Sequence, residues 1–183
     1  MNVAIKNNEV NVADTLFYFA YGSNLHLNRL RARVPSAEPV TAWPLDGYDL
    51  RWHKRGRDGS GKCDCFRTDR PTDRVHGVIY SLSSDEKPAL DAAEGLGVGY
   101  DLIWLGMGEY DKVFTYVARR DQIDDVLAPY VWYRQFVIDG ARQHSLPAGY
   151  VDRLASVSAL EDPDRERHAL NIDILNGDIL NGP

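Results

Sequence analysis

Two short segments of this 183-residue chain carry groups that could bind and process a small ligand. In the first, residues 17–25, an apolar strand pattern runs through a Gly-Ser-Asn turn into a helical pattern. Such a turn leaves the backbone N–H groups of Gly22, Ser23 and Asn24 free, which favours an anion such as a carboxylate or phosphate. The alternative is an ordinary strand-to-helix turn in which the side chain of Ser23 or Asn24 caps the helix.

The second segment contains Glu94, the last residue of a helix predicted over residues 87–94. The negative end of the helix dipole, and any burial, would disfavour the ionised form of this carboxyl group. Glu94 is therefore a candidate general base and then general acid near neutral pH, the alternative being a solvated surface glutamate. The glycines after it, Gly95, Gly97 and Gly99, follow a helix rather than a strand, so they do not match a nucleotide-binding loop. We interpret them as allowing the backbone to approach a ligand closely.

The order of residues in these segments resembles the gamma-glutamylcyclotransferase-like (AIG2-like) family. Residues 18–25, Tyr-Phe-Ala-Tyr-Gly-Ser-Asn-Leu, resemble its signature, and residues 90–95, Leu-Asp-Ala-Ala-Glu-Gly, followed by Gly99 and Tyr100, resemble its catalytic-glutamate segment. Residues 57–62 and 75–80 give a looser likeness. The resemblance extends over roughly residues 16–157.

This resemblance implies a reaction and a set of site residues. The reaction converts a γ-glutamyl amino acid, peptide or amine to 5-oxoproline and a free amine, as in glutathione metabolism, with no cofactor and no metal. Glu94 would be the catalytic residue. The substrate-binding residues would be Tyr21, Gly22, Ser23, Asn24, Leu25, Tyr100 and Tyr130. The hydroxyls of Tyr21, Tyr130 and Tyr133 could each reach a polar ligand. For Tyr130 the alternative is ordinary packing of an amphipathic helix.

Two other functions remain open at this point. A non-catalytic ligand-binding domain would keep the turn and lose the catalytic carboxylate, so the presence of Glu94 favours the enzyme. A γ-glutamyl hydrolase or transferase would release glutamate or a transfer product, but the sequence shows no serine–histidine or cysteine–histidine signature for such chemistry. The identity of the leaving amine is not encoded in any motif that we can interpret.

Strand patterns mostly precede helical patterns, which favours an α+β fold over a doubly wound one. The family resemblance implies a mixed sheet curled into a small six-stranded barrel flanked by helices. We predict a loose N-terminal arm at residues 1–14, one domain at 15–160 and a polar C-terminal tail at 161–183. A strand over residues 42–52 should be bent or lie at an edge, because it contains Pro44 and Gly47.

Composition narrows the classes of partner. The chain is 44% hydrophobic with a net charge of −6, which predicts a globular protein and argues against nucleic acid as a general partner. No apolar run could span a membrane and no signal-peptide core is present, so we expect a cytoplasmic protein. A homodimer is one possible assembly. Cys63 and Cys65 should be reduced strand cysteines. The basic segment 51–62 is either a solvated hairpin tip or a surface for RNA or an acidic ligand.

Overall fold

The computed structural model describes residues 15–177, which contain seven strands and five α-helices. The predicted arm at residues 1–14 lies outside the described residues. In chain order the elements are β1 (Thr15–Ala20), α1 (Leu27–Arg31), β2 (Glu38–Asp46), β3 (Tyr48–Arg55), β4 (Gly61–Arg67), β5 (Arg74–Ser83), α2 (Lys87–Glu94), β6 (Tyr100–Met107), β7 (Tyr110–Ala118), α3 (Val131–Gln143), α4 (Ala148–Ala155) and α5 (Arg165–Asn176). No helix among these is both long and apolar enough to cross a membrane.

A five-stranded mixed sheet carries the Gly-Ser-Asn turn of residues 22–24. Its strand order is β2-β5-β1-β7-β6, with β1 antiparallel to β5 and parallel to β7. The end of β1 is fully enclosed, since Phe19 and Ala20 have no exposed surface. Because β1 is the central strand, the turn that follows it begins in the middle of the molecule rather than at a sheet edge.

Strands β3 and β4 form a separate two-stranded sheet. The strand predicted over residues 42–52 is two strands: β2 ends at Asp46, the chain turns at Gly47 with φ of +80°, and β3 begins at Tyr48. The edge position expected from Pro44 is confirmed, since β2 is an edge strand of the large sheet. The reversal at Gly47 frees β3 from the large sheet, so it pairs with β4 instead, with Leu50 opposite Cys65. The predicted α+β fold with a curled mixed sheet is confirmed. In residues 15–177 the strands divide between these two sheets, and the large sheet does not close into a barrel.

Helix α3 packs against the end of the turn, at Leu25 and His26. Trp132, Phe136 and Val137 are buried at the helical spacing that the sequence predicts. Gly140 lies so close to the turn that a Cβ atom there would be 2.5 Å from the backbone nitrogen of His26. Only a residue without a side chain permits this approach, so Gly140 lets α3 hold the segment around residue 25 against the core.

The segment predicted as a polar tail contains α5. Asp164 caps this helix by accepting a hydrogen bond from the backbone nitrogen of Arg167 at 2.9 Å. Asp162, just before it, accepts from the Trp132 indole nitrogen at 2.7 Å and from the Arg167 guanidinium. The Arg167 hydrogen bonds hold the pKa of Asp162 well below its usual range. These bonds tie α5 to α3. Residues 178–183 lie outside the described part of the chain.

Candidate active site

Glu94 lies at the end of α2, where Gly95 closes the helix in a left-handed conformation. Its side chain is 16% exposed, and the fully buried Leu90 anchors the same helix in the core. The Oε1 atom accepts hydrogen bonds from Asn24 Nδ2 at 2.9 Å and from Arg33 Nη1 at 2.7 Å. No donor from residues 15–177 contacts Oε2. One carboxylate oxygen is therefore fixed, and the other is left for a ligand.

Asn24 connects the turn to Glu94. Its Nδ2 also donates to the Tyr18 hydroxyl at 3.0 Å, and its Oδ1 accepts from Arg33 Nη1 at 2.9 Å. Both protons of the amide nitrogen and the amide oxygen are therefore engaged by neighbouring side chains. Because Arg33 donates to both Asn24 and Glu94, the three side chains form one closed network. Arg33 also forms an ion pair with Glu94, a partner that the sequence did not indicate.

The predicted side-chain cap is wrong. A short 3₁₀ turn, Ser23–Leu25, separates β1 from α1, and the residue that precedes α1, His26, makes no capping bond. The Ser23 hydroxyl instead accepts from Arg29 Nε at 3.3 Å, while Asn24 is engaged with Glu94. Both side chains are used across the site rather than along the helix.

The backbone of the turn has the free amides that the sequence predicts. Leu25 donates to the Gly22 carbonyl at 2.9 Å and His26 to the Ser23 carbonyl at 3.2 Å, which closes the turn. For the N–H groups of Gly22, Ser23 and Asn24, no acceptor is found in the part of the chain that the structure describes. Ser23 and Asn24 are 7% and 3% exposed, so their backbone N–H groups are largely shielded from bulk water.

Buried tyrosines line the recess beside the turn. The Tyr100 hydroxyl donates to the Cys63 carbonyl at 2.7 Å, and the Cys63 amide donates to the Tyr133 hydroxyl at 3.0 Å. Tyr21 donates to the Tyr116 carbonyl at 2.5 Å. Burial raises the pKa of Tyr100 and Tyr133 well above the ordinary value, so both stay neutral. Tyr133 receives a bond and keeps its own hydroxyl proton as a donor.

Most of the predicted site residues lie together. Glu94, Ser23 and Tyr100 line a cleft of ≈370 Å³, and Tyr21, Gly22 and Asn24 line the smaller recess that adjoins it. Leu25 and Tyr130 border neither cavity. The Leu25 side chain is fully buried in the core, where α3 packs against it. Tyr130 directs its hydroxyl to the Asp58 carbonyl at 3.2 Å.

Two further residues contribute to the site. Tyr133, whose hydroxyl the sequence offers as a possible ligand contact, lines both cavities, one helical turn from Tyr130. Arg33 is the residue that was missed from the sequence. Arg33 follows the first helix and belongs to no motif, so nothing in the sequence connects it with Glu94.

The basic segment 51–62, which forms the hairpin between β3 and β4 and is called the basic hairpin below, also belongs to the site. The prediction of a solvated hairpin tip is wrong for Lys54, which is 7% exposed, and for Lys62, whose side chain is 14% exposed. Lys62 Nζ pairs with Asp58 at 2.7 Å and lies 4.5 Å from the centre of the Tyr133 ring. Packing against α3 therefore draws this hairpin over the cleft, which Lys54, Arg57 and Lys62 line.

A buried histidine fixes the hairpin in this position. His53 is 4% exposed, and its ring nitrogens lie 2.9 Å from Asp64 Oδ2 and 2.8 Å from Asp125 Oδ1. Asp64 in turn accepts from the backbone nitrogen of Ala118 in β7 at 2.7 Å. The small sheet is thereby joined to the large one. As expected, Cys63 and Cys65 are unpaired, and both are buried.

Comparison with known proteins agrees with this geometry. The model of the family "Gamma-glutamyl cyclotransferase, AIG2-like" matches residues 18–135. Gamma-glutamylcyclotransferase of Mus musculus is 27% identical over 161 residues, which cover 81% of both chains. The Homo sapiens protein of the same name is 26% identical over 151 residues, 79% of both chains. A solved structure named gamma-glutamyl cyclotransferase has a TM-score of 0.74 at 22% identity, covering 87% of this chain and 99% of the other, which shows a shared fold.

Fold, site and relatives together define an enzyme of the cyclotransferase type. The matched segment includes the second half of β1, the turn, Glu94 and the first five residues of α3. The chain belongs to the gamma-glutamyl cyclotransferase, AIG2-like family.

Proposed function

We propose that this protein is a γ-glutamylcyclotransferase that converts a γ-glutamyl amino acid, peptide or amine to 5-oxoproline and the free amine. The observation that carries the proposal is the juxtaposition of the Glu94 carboxylate with a turn of free backbone amides in one cleft of ≈370 Å³. That volume is in the range typical of small-molecule sites. The predicted homodimer and cytoplasmic location stay predictions.

Substrate binding follows from the donors of the site. The free N–H groups of Gly22, Ser23 and Asn24 would hold the α-carboxylate of the γ-glutamyl group. Arg29 adds a positive charge beside them, since its guanidinium donates to the Ser23 hydroxyl. With the α-carboxylate held at the turn, the α-amino group would face Glu94, because Asn24 places the two side by side.

The first chemical step is ring closure. Glu94 takes a proton at Oε2 from the α-ammonium group, and the freed nitrogen lone pair attacks the γ-carbonyl carbon. The carbonyl π electrons move to oxygen, giving a tetrahedral oxyanion in a five-membered ring. The Tyr133 hydroxyl and the N–H of Gly22 are suited to donate to this oxyanion, because a Cβ atom on Gly22 would lie 3.4 Å from the Tyr133 hydroxyl.

The second step releases the amine. The proton held by Glu94 passes to the departing nitrogen, the carbon–nitrogen bond breaks, and the oxyanion electrons restore the carbonyl. The Glu94 carboxylate then takes the second proton from the ring nitrogen, which leaves a neutral lactam, and passes it to the released amine, which becomes an ammonium ion. Glu94 ends as the carboxylate with which it began, so no proton is gained or lost over the cycle. Nucleophile and electrophile belong to one molecule, so the enzyme has only to fold the substrate and move protons. No cofactor enters these steps.

The geometry favours this reaction over γ-glutamyl hydrolysis through a covalent intermediate. The Ser23 hydroxyl is bonded to a guanidinium rather than to a base. Burial raises the pKa of Cys63 far above its ordinary value, which keeps it a thiol. The ligand-binding alternative is disfavoured because Glu94 is both present and oriented by two donors.

The direct test is a panel of γ-glutamyl amino acids, peptides and amines incubated with the protein, with 5-oxoproline and the free amine measured for each. We expect equal amounts of both products from at least one compound. Release of free glutamate without 5-oxoproline would contradict the proposal in favour of a hydrolase. Binding without any turnover across the panel would contradict it in favour of a ligand-binding domain.

A further inference from the structure

Three cations that line the cleft have no carboxylate partner among residues 15–177. Arg33 pairs with Glu94, Lys62 with Asp58, and Arg167 with Asp162. The unpaired cations are Arg29, Lys54 and Arg57. On a chain whose net charge is −6, this local excess of positive charge beside the general base indicates an anionic ligand.

Lys54 is the most unusual of the three. It is 7% exposed, and its Nζ atom lies 4.6 Å from the centre of the Tyr100 ring. A Cβ atom on Gly99 would be 2.7 Å from Nζ, so the last of the three glycines after Glu94 makes room for this ammonium group. Burial lowers the pKa of Lys54. A desolvated cation without a counterion is unfavourable, and a bound anion would relieve that cost.

Arg57 places a second charge on the same side of Glu94. Lys54, Arg57 and Glu94 border both the main cleft and an adjoining cavity of ≈230 Å³. The Nη2 atom of Arg57 lies 3.3 Å from the position that a Cβ atom on Gly95 would occupy. In the proposed reaction, the amine that leaves the γ-carbonyl carbon near Glu94 would therefore depart next to Lys54 and Arg57.

Arg29 lies at one end of the cleft, and Lys54 and Arg57 lie at another. Arg29 contacts Ser23 and is therefore beside the turn that would take the α-carboxylate of the γ-glutamyl group. Lys54 and Arg57 remain for the other end of the substrate. A leaving amino acid with a neutral side chain has one carboxylate, so it would pair with only one of the two cations. A leaving amino acid with an acidic side chain has two carboxylates, one for Lys54 and one for Arg57.

We propose that Lys54 and Arg57 form a subsite for a dicarboxylate leaving group, so that the preferred substrates are γ-glutamyl conjugates of acidic amino acids. This inference rests on the proposed function. It assigns specificity-determining roles to two residues of the basic hairpin. It also gives a reason why His53 and two aspartates fix that hairpin so firmly, since the subsite depends on its position.

The first experiment compares γ-glutamylglutamate with γ-glutamylglutamine, which has the same shape and lacks one charge. Because the amide of γ-glutamylglutamine cannot form a hydrogen bond between charged groups with the subsite, kcat/KM for 5-oxoproline release should be about tenfold or more higher for γ-glutamylglutamate. Equal values for the two substrates would overturn the subsite while leaving the proposed function intact. Absence of 5-oxoproline from both, and from the wider panel, would overturn both.

The second experiment assigns the preference to residues. Lys54→Met removes the ammonium and keeps an unbranched side chain against Tyr100, and Arg57→Gln changes an exposed residue. Each should reduce the preference for γ-glutamylglutamate over γ-glutamylglutamine to about threefold or less. Arg67→Gln is the matched control, since Arg67 is exposed on β4 and pairs with Asp69 outside the cleft. The control should retain the full preference. If Arg57→Gln and Lys54→Met retain it as well, the assignment is wrong.

Discussion

Replacing Glu94 with glutamine tests the acid–base role at a single atom. Glutamine keeps the size of the side chain, and its oxygen can still accept from Asn24 and Arg33, which lie 2.9 and 2.7 Å from Glu94 Oε1. The amide nitrogen of glutamine would occupy the position of Oε2. An amide nitrogen is not basic, so it cannot take a proton from the substrate amine. We expect Glu94→Gln to bind substrate and to turn it over very slowly.

The expected losses differ for rate and for stability. Loss of a general base usually lowers the rate by about 100- to 10,000-fold, which is roughly 3–5 kcal/mol of activation free energy. The loss of folding stability should be only about 1 kcal/mol, because the Glu94–Arg33 pair is partly exposed and glutamine retains its hydrogen bonds. The substitution should therefore separate catalysis from folding.

The assay measures 5-oxoproline release and thermal unfolding on the same preparations. Glu109→Gln is the control, because Glu109 is exposed in the β6–β7 turn, away from the cleft. The control should match the parent protein in both measurements. If Glu94→Gln kept its activity within about tenfold of the parent, proton transfer by Glu94 would be refuted, since that loss is smaller than a general base contributes.

Three further substitutions test other parts of the site. Gly22→Val should raise KM about tenfold or more, because even a Cβ atom would lie 3.1 Å from Cys63 Cβ and the branched side chain would crowd the bound carboxylate; an unchanged KM would contradict this placement. Tyr133→Phe should lower kcat about 100-fold with a smaller effect on KM, as expected for an oxyanion donor, and an equal effect on both would contradict that role. Arg33→Met should lower kcat about tenfold by releasing the Glu94 carboxylate, with partial recovery in Arg33→Lys, and full activity of Arg33→Met would exclude this positioning role.

Local patterns predicted the elements that carry the site. The apolar run before Gly22 predicted β1, and the Ala-Leu spacing before Gly95 predicted α2 with its end at Glu94. These elements follow from hydrophobic periodicity and from glycine at a helix end, which are properties of neighbouring residues. The family resemblance then placed both segments in one site, and the hydrogen bond between Asn24 and Glu94 joins them across 70 residues.

The parts that sequence did not predict depend on contacts between distant segments. Arg33 reaches Glu94 across 61 residues, and Lys62 is buried because α3 packs over it. A run of basic residues is usually solvated, so composition predicted an exposed hairpin tip. Tertiary packing overrode that expectation. It also placed Tyr133, and not Tyr130, in the lining of the cleft, a difference of one helical turn that periodicity does not resolve.

The central claim is that the substrate's own α-amino group is the nucleophile. The most direct measurement compares a free γ-glutamyl substrate with its N-acetylated form, in excess chelator, and identifies the products. Acetylation removes the lone pair that ring closure requires, so the account predicts 5-oxoproline from the free substrate and no cleavage of the acetylated one. Equal cleavage of both, with release of glutamate and N-acetylglutamate in place of 5-oxoproline, would contradict it.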